Sequence, residues 1–238
     1  MTTERHRIEA NLATVEARIA QAAARSGREA DEIQLIVVSK GRSAQSILAA
    51  YQAGIREIGE NRVEEALPKQ DQLAHLDDLH WHMVGHIQSR KAKLVAPNFD
   101  WVHSVDRLKI ARKLDHQAHE HGRRLPVLIE CNVSGEESKS GWAMHEKPLW
   151  AQAMPEFEEL AQLVNLEVSG LMTMAPWTAD ERLLRSVFGR LRDLREYLRE
   201  RLPGHWRELS MGMSDDFELA VEEGATMVRI GRAVFGEA

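Results

Sequence analysis

Eight times along this chain a short apolar run is followed by an amphipathic stripe, and no other feature limits its fold so tightly. Leu35 to Val38 is near-continuously apolar, as a parallel strand covered on both faces requires. Ile47, Leu48 and Tyr51 then mark a helix that Gly54 can close. Further runs stand at Ile55 to Ile58, Trp81 to Val84, Trp101 to Val105, Val127 to Val133, Val168 to Met172, Leu209 to Met211 and Met227 to Ile230. Between them lie helical stripes such as Leu108, Ala111, Leu114 and Ala118, and Val187, Leu191, Leu194 and Leu198. Another helix is expected between about Pro148 and Val164. Ahead of the first strand, Ile8, Leu12, Val15 and Ile19 predict an extra N-terminal helix that Ser26-Gly27 stops. Eight strand-helix units with no low-complexity linker predict a single (β/α)₈ barrel of the TIM type spanning 1–238. An open doubly wound sheet shares this periodicity and is the competing architecture.

Composition matters for what it excludes. A net charge of -6 argues against a general nucleic-acid or membrane-surface binder, and the basic cluster Arg90 to Lys93 reads as a solvated helix face. No run of about 18 apolar residues suggests a membrane span, and MTTERHRIEA lacks the apolar centre of a secretory signal. Cys131 is the single cysteine, so neither an internal disulfide nor a Cys-rich metal site is possible. A cytoplasmic location is the expectation, with Cys131 buried in its apolar run.

Barrels of this kind collect functional groups where strands end and loops begin. Lys40 stands there after the first strand, in Val37-Val38-Ser39-Lys40-Gly41. Poor solvation would lower its pKa and expose a nucleophilic amine suited to imine formation; a plain surface lysine is the alternative. Near the other end, Leu209 to Asp216 (LSMGMSDD) leads into a helix expected to be capped by Ser214, and Val228 to Ala233 (VRIGRA) ends the last strand with Gly231. Loops after the seventh and eighth strands form the recurrent phosphate site of this architecture, although Ser214 before two acids is also an ordinary cap. Alternation places Arg229 opposite Val228 and Ile230, toward the barrel mouth, where it needs an acceptor. A pyridine nitrogen would serve, and so would a barrel carboxylate.

Other constellations carry less. His80, His82 and His86 lack a carboxylate or fourth ligand at metal-site spacing. Ser39 and Ser210 lie in no nucleophile-elbow pattern, and the six tryptophans read as core and rim packing. Lys139, after the fifth strand, is either a transient acceptor at the mouth or an ordinary solvent-facing lysine.

The chain resembles the pyridoxal phosphate homeostasis proteins, which look like the barrel domain of alanine racemase without its second domain. The matching strings are VVSK at Val37 to Lys40, GEN at Gly59 to Asn61, HSVDRLKIA at His103 to Ala111, SKSG at Ser138 to Gly141, SGLM at Ser169 to Met172, LSMGMSDD, and MVRIG from Met227 with a following FG. The resemblance implies pyridoxal 5′-phosphate (PLP) held as a Schiff base on Lys40. It implies Ser210, Ser214, Gly231 and Arg232 around the phosphate, Arg229 at the pyridine nitrogen and Asn61 near the cofactor. It also implies PLP homeostasis without established turnover, with PLP-dependent apo-enzymes as acceptors; a monomer is expected. Four positions depart from the family pattern: Gly41 and Arg232 replace threonine, Arg62 an aromatic residue and His86 a proline.

A PLP-dependent amino-acid racemase is the main rival. It needs a second base opposite Lys40, and neither Tyr51 nor Tyr197 falls near a strand end. A lysine-dependent aldolase shares barrel and Schiff base but needs carboxylates beside the lysine, and none is evident in the sequence.

Overall fold

A computed structural model describes residues 2–236 of the chain, with side chains from residue 4 onward. Eight parallel strands close into a barrel: β1 (Gln34–Val38), β2 (Glu57–Glu60), β3 (His80–Met83), β4 (Trp101–Val105), β5 (Leu125–Asn132), β7 (Leu166–Met172), β8 (Glu208–Ser210) and β9 (Met227–Ile230). Pairing of β1 with β9, with Val37 beside Ile230, and of β4 with β5 leaves no open edge and rules out the doubly wound sheet. β2 starts two residues later than its apolar run and ends on the buried Glu60. A further two-residue strand, β6 (Trp142–Ala143), pairs with the end of β5 and gave no sequence signal.

Helices cover the barrel as the stripes predict. α2 (Ala44–Gln52) is capped by Ser43, whose hydroxyl accepts from the Ser46 N–H. α3 (Val63–Gln72) and α4 (Ala92–Asn98) follow β2 and β3. α5 (Leu108–Glu120) buries Ile110, Ala111, Leu114 and Ala118. α6 (Lys147–Leu160) ends short of Val164, and α7 (Glu181–Arg199) is capped by the Asp180 carboxylate. The extra helix α1 (Thr2–Arg25) is present. It packs on α8 (Phe217–Glu222) and on the short α9 (Arg232–Phe235), where Arg18 pairs with Glu218 at 2.6 Å and Asn11 donates to the Val234 carbonyl. Among the described residues, no helix is long and apolar enough to cross a membrane.

Alternation along the strands creates two interiors. The larger fills the space between barrel and helices and includes Ile58, Val228 and Ile230. The smaller lies inside the barrel, where Ile36, Leu128, Met172 and Met227 form one apolar cluster with Trp101 against it. The barrel is therefore packed, and its polar inward residues are buried among side chains.

Candidate functional site at the barrel mouth

All seven expected site residues belong to four neighbouring strands, in the order β2, β1, β9, β8, or to the loops that leave them. Closure of the barrel is what unites them, because Lys40 follows the first strand and Arg229 lies on the last.

Lys40 is solvent-exposed. The expected poor solvation is not realised, since β1 ends at Val38 and the lysine stands on the turn beyond it. That turn is firmly held from below. The fully buried Ser39 receives a bond from Lys69 Nζ on its carbonyl at 3.0 Å and donates its hydroxyl to Glu60 at 2.6 Å. Its N–H donates to the Gly59 carbonyl at 2.9 Å. Lys69 also pairs with Glu60 at 2.6 Å, in an almost fully buried ion pair. Gly41 has φ 68°, a region in which the family's threonine would be strained.

Asn61 follows β2 directly and is half-buried. Gly85, after β3, approaches it so closely that an added Cβ would lie 2.2 Å from the Asn61 carbonyl oxygen. Of the neighbouring departures, Arg62 is largely exposed and near Glu65, and His86 Nδ1 lies 2.9 Å from Asp106 Oδ2.

The two late loops converge. The Ser214 hydroxyl lies 3.4 Å from the Ala233 N–H, which draws the loop after β8 onto the start of α9. Gly231 precedes α9 and packs against β1, where an added Cβ would stand 2.9 Å from the Val38 carbonyl oxygen. Ser214 is not the helix cap that was expected. α8 begins only at Phe217, because the Asp216 carboxylate turns back to accept the Met213 N–H at 2.6 Å and tightens the intervening residues into a turn. Arg232 opens α9 and does not prolong the strand; its guanidinium reaches both carboxylate oxygens of Asp215, at 2.5 and 2.6 Å.

Arg229 faces inward as the alternation predicts, and is 5% exposed. Its guanidinium donates to the Ser210 hydroxyl at 2.6 Å and to the Thr173 carbonyl at 2.8 Å, both neutral acceptors. Burial lowers its pKa to about 10, opposed by the charges of Glu130 and Asp216, so it stays a cation at neutral pH. Ser210 is fully buried, and its hydroxyl meets both Arg229 and His103 Nδ1. In this arrangement Ser210 orients Arg229.

Sequence reasoning missed Glu130 and Asp106. Glu130 lies on β5, and burial raises its pKa to about 7; the Asp106 carboxylate adds to the rise and Arg229 opposes it. Asp106 accepts from Arg107 at 2.6 Å through Oδ2, while its buried Oδ1 has no partner. The inward alternation of β5 was the available signal for Glu130, masked by the apolar run around it. Lys139 is partly buried and donates to the Ala175 carbonyl at 3.2 Å, so it is not freely solvated. Cys131 is buried as expected, and burial raises its thiol pKa. His82 is fully buried inside the barrel, whereas His80 and His86 are exposed. Trp177 departs from the packing expectation. It is 95% exposed, on the loop after β7.

A closed parallel barrel of this kind also forms part of larger enzymes. A family model described as "Alanine racemase, N-terminal domain" matches residues 10–238. The chain belongs to that family and, within it, to the pyridoxal phosphate homeostasis proteins. It is 46% identical over 226 residues to the pyridoxal phosphate homeostasis protein of Pseudomonas aeruginosa, covering 95% of this chain and 94% of the relative. The solved structure of PipY from Synechococcus elongatus with PLP bound has a TM-score of 0.83 at 37% identity, covering 96% of this chain and all of that one. Alanine racemase from Streptomyces coelicolor shares the fold at a TM-score of 0.73 and 17% identity; 98% of this chain matches 59% of the enzyme.

Proposed function

We propose that this chain is a PLP-binding protein of intracellular PLP homeostasis that holds the cofactor as a Schiff base on Lys40, without turnover of its own. The observation that carries the reading is the junction of β1 with β9, which sets the Lys40 turn, the Gly231 backbone and the inward Arg229 around one mouth. The residues present fit PLP. Arg229 is a buried cation bonded only to neutral acceptors, and so suits a ring nitrogen that accepts without taking its proton. Ser214 and the Gly231 backbone, on converging loops, suit a phosphate. Asn61 stands beside the Lys40 turn, on the neighbouring strand's loop.

Bound PLP supplies an aldehyde that condenses with a primary amine. The protein's part is to present the Lys40 amine at an open, wet mouth, to anchor the phosphate and to keep the ring nitrogen unprotonated. An exposed lysine suits reversible loading and release to PLP-dependent apo-enzymes, which we take as the acceptors. We further take residues 1–238 as one PLP-binding domain acting as a cytoplasmic monomer. Racemisation would need a second base, and neither tyrosine provides it. Tyr51 donates to Asp78 near the opposite end of the barrel, and Tyr197 packs on Trp150 outside it.

A visible absorption spectrum of the purified protein with added PLP tests the binding, and chiral chromatography after incubation with L-alanine tests the absence of turnover. A protein-bound chromophore with no D-alanine is expected. D-alanine formed at about 1 s⁻¹ or faster, the range of working enzymes, would make the chain a racemase.

Arg232 is expected to contribute little, because Asp215 already holds its exposed guanidinium. Arg232→Ala should weaken PLP binding by about tenfold or less, as for the loss of one partly exposed charge-assisted bond. Fluorescence titration at low and high salt measures it. A thousandfold loss would identify the guanidinium as the principal phosphate ligand.

A further inference from the structure

Three residues with no place in the site are joined to Arg229 by an unbroken run of buried polar contacts. Arg229 donates to Ser210 Oγ, which lies 2.9 Å from His103 Nδ1. His103 Nε2 is 2.9 Å from His82 Nδ1, and His82 Nε2 is 2.6 Å from Glu57 Oε2. Ser210, His103 and His82 are fully buried. Glu57, the first residue of β2, lies at the N-terminal end of the barrel with its side chain 20% exposed. The run therefore crosses the barrel interior from the mouth to the opposite face.

The hydrogen-bonding partners of Ser210 and Glu57 set the direction of every bond. Burial opposes ionisation of Glu57, but the bond from His82 brings its pKa below the usual value. Glu57 is thus an acceptor only, and His82 Nε2 carries the hydrogen. Burial, reinforced by the Arg229 charge, pushes His103 well below the usual histidine value and keeps it neutral. The Ser210 oxygen accepts from Arg229, so its own hydrogen is left for its other partner, His103 Nδ1. His103 Nδ1 therefore accepts, the neutral His103 ring donates its Nε2–H to His82 Nδ1, and His82 donates its Nε2–H to Glu57. Ser210 then has lone pairs left for Arg229. Each donor points from Arg229 toward Glu57. Because a guanidinium keeps its protons, the run cannot carry a proton from end to end. It is a fixed line of dipoles with its negative side toward the arginine.

The geometry points to Glu57, His82 and His103 as positioning residues that act through Ser210 to orient Arg229 and stabilise its buried charge. Ligand affinity at the mouth of the barrel then depends on a carboxylate at its opposite, N-terminal end. Only this consequence rests on the PLP reading above; the order of the hydrogen bonds does not.

Histidine tautomers of the ¹⁵N-labelled protein without ligand, read from long-range proton–nitrogen correlations, test the order directly. Both His82 and His103 should be neutral with hydrogen on Nε2, and a hydrogen on Nδ1 of His103 would overturn the proposal. The second arm compares PLP affinity in Glu57→Gln, which keeps shape but removes the charge, with Glu208→Gln, a carboxylate at the same face outside the run. Glu57→Gln should fold normally by circular dichroism and bind PLP about tenfold more weakly, the scale on which a charge-assisted bond exceeds a neutral one. Glu208→Gln should bind as the wild type does. Affinity of Glu57→Gln within twofold of wild type, or an equal loss in Glu208→Gln, would sink the coupling. A wild-type protein that binds no PLP would instead refute the site reading and leave the tautomer result standing.

Discussion

Lys40→Ala is expected to abolish covalent PLP attachment while leaving the barrel folded. The wild-type protein mixed with PLP should show a visible band, and borohydride should fix a pyridoxyl group on the single peptide containing Lys40. In Lys40→Ala both the band and the labelled peptide should vanish. Residual non-covalent binding through Arg229 and the late loops should persist, because none of their contacts involves the lysine side chain. Fold should be unaffected, since Lys40 is exposed on a turn and packs no core. Lys139→Ala should keep the band and alter, at most, the rate of release. A band and labelled peptide unchanged in Lys40→Ala would place the covalent site on another lysine.

The largest loss of stability is expected directly beneath the Lys40 turn, at the Lys69–Glu60 pair that holds Ser39. Lys69 and Glu60 form an ion pair with side-chain exposures of 11% and 0%, and Glu60 Oε2 already lacks a partner. Removing the ammonium leaves a buried carboxylate supported by the Ser39 hydroxyl alone. Breaking a buried pair from one side costs about 3–5 kcal/mol. For a domain of this size that lowers the thermal midpoint by roughly 10 °C. Lys69→Ala should show this shift in calorimetry, whereas the double variant Lys69→Met with Glu60→Leu should recover most of it. A single variant melting with the wild type would mean that water, and not Lys69, satisfies Glu60. The same substitution should also loosen the Lys40 turn, because it removes the bond that Lys69 donates to the Ser39 carbonyl.

How legible all this was depended on whether a residue's environment repeats along the chain. Strands covered on both faces advertise themselves, and β1, β4 and β9 lie where their apolar runs stand. β2 was displaced by two residues because Glu60 looks like a loop residue until Lys69 is packed against it from α3. The inward direction of Arg229 followed from alternation alone. Its partners did not, since Ser210 and His103 are brought together across the barrel from strands far apart in sequence. His82 and Glu57 carry no sequence signal of their contact, because β2 and β3 bring them together only in the folded barrel. Lys40 was found by position, but its solvation was misjudged by the two residues that separate it from the strand's end. Likewise, Ser214 looked like a helix cap because the Asp216 carboxylate, which turns back on Met213, was taken as part of the helix.

The seam between β1 and β9 has a consequence for biosynthesis. The ribosome delivers the lysine strand early and its hydrogen-bonded neighbour almost last. α1, made first, packs against α8 and α9, made at the end. Throughout elongation, therefore, the Lys40 strand borders an unfilled edge, and neither Arg229 nor Gly231 yet exists to receive a ligand. On the proposed reading of the site, capture of the cofactor would have to wait until the chain is translated nearly to completion. A prematurely terminated chain would then carry Lys40 without Arg229 or Gly231, the residues proposed to retain PLP beside it.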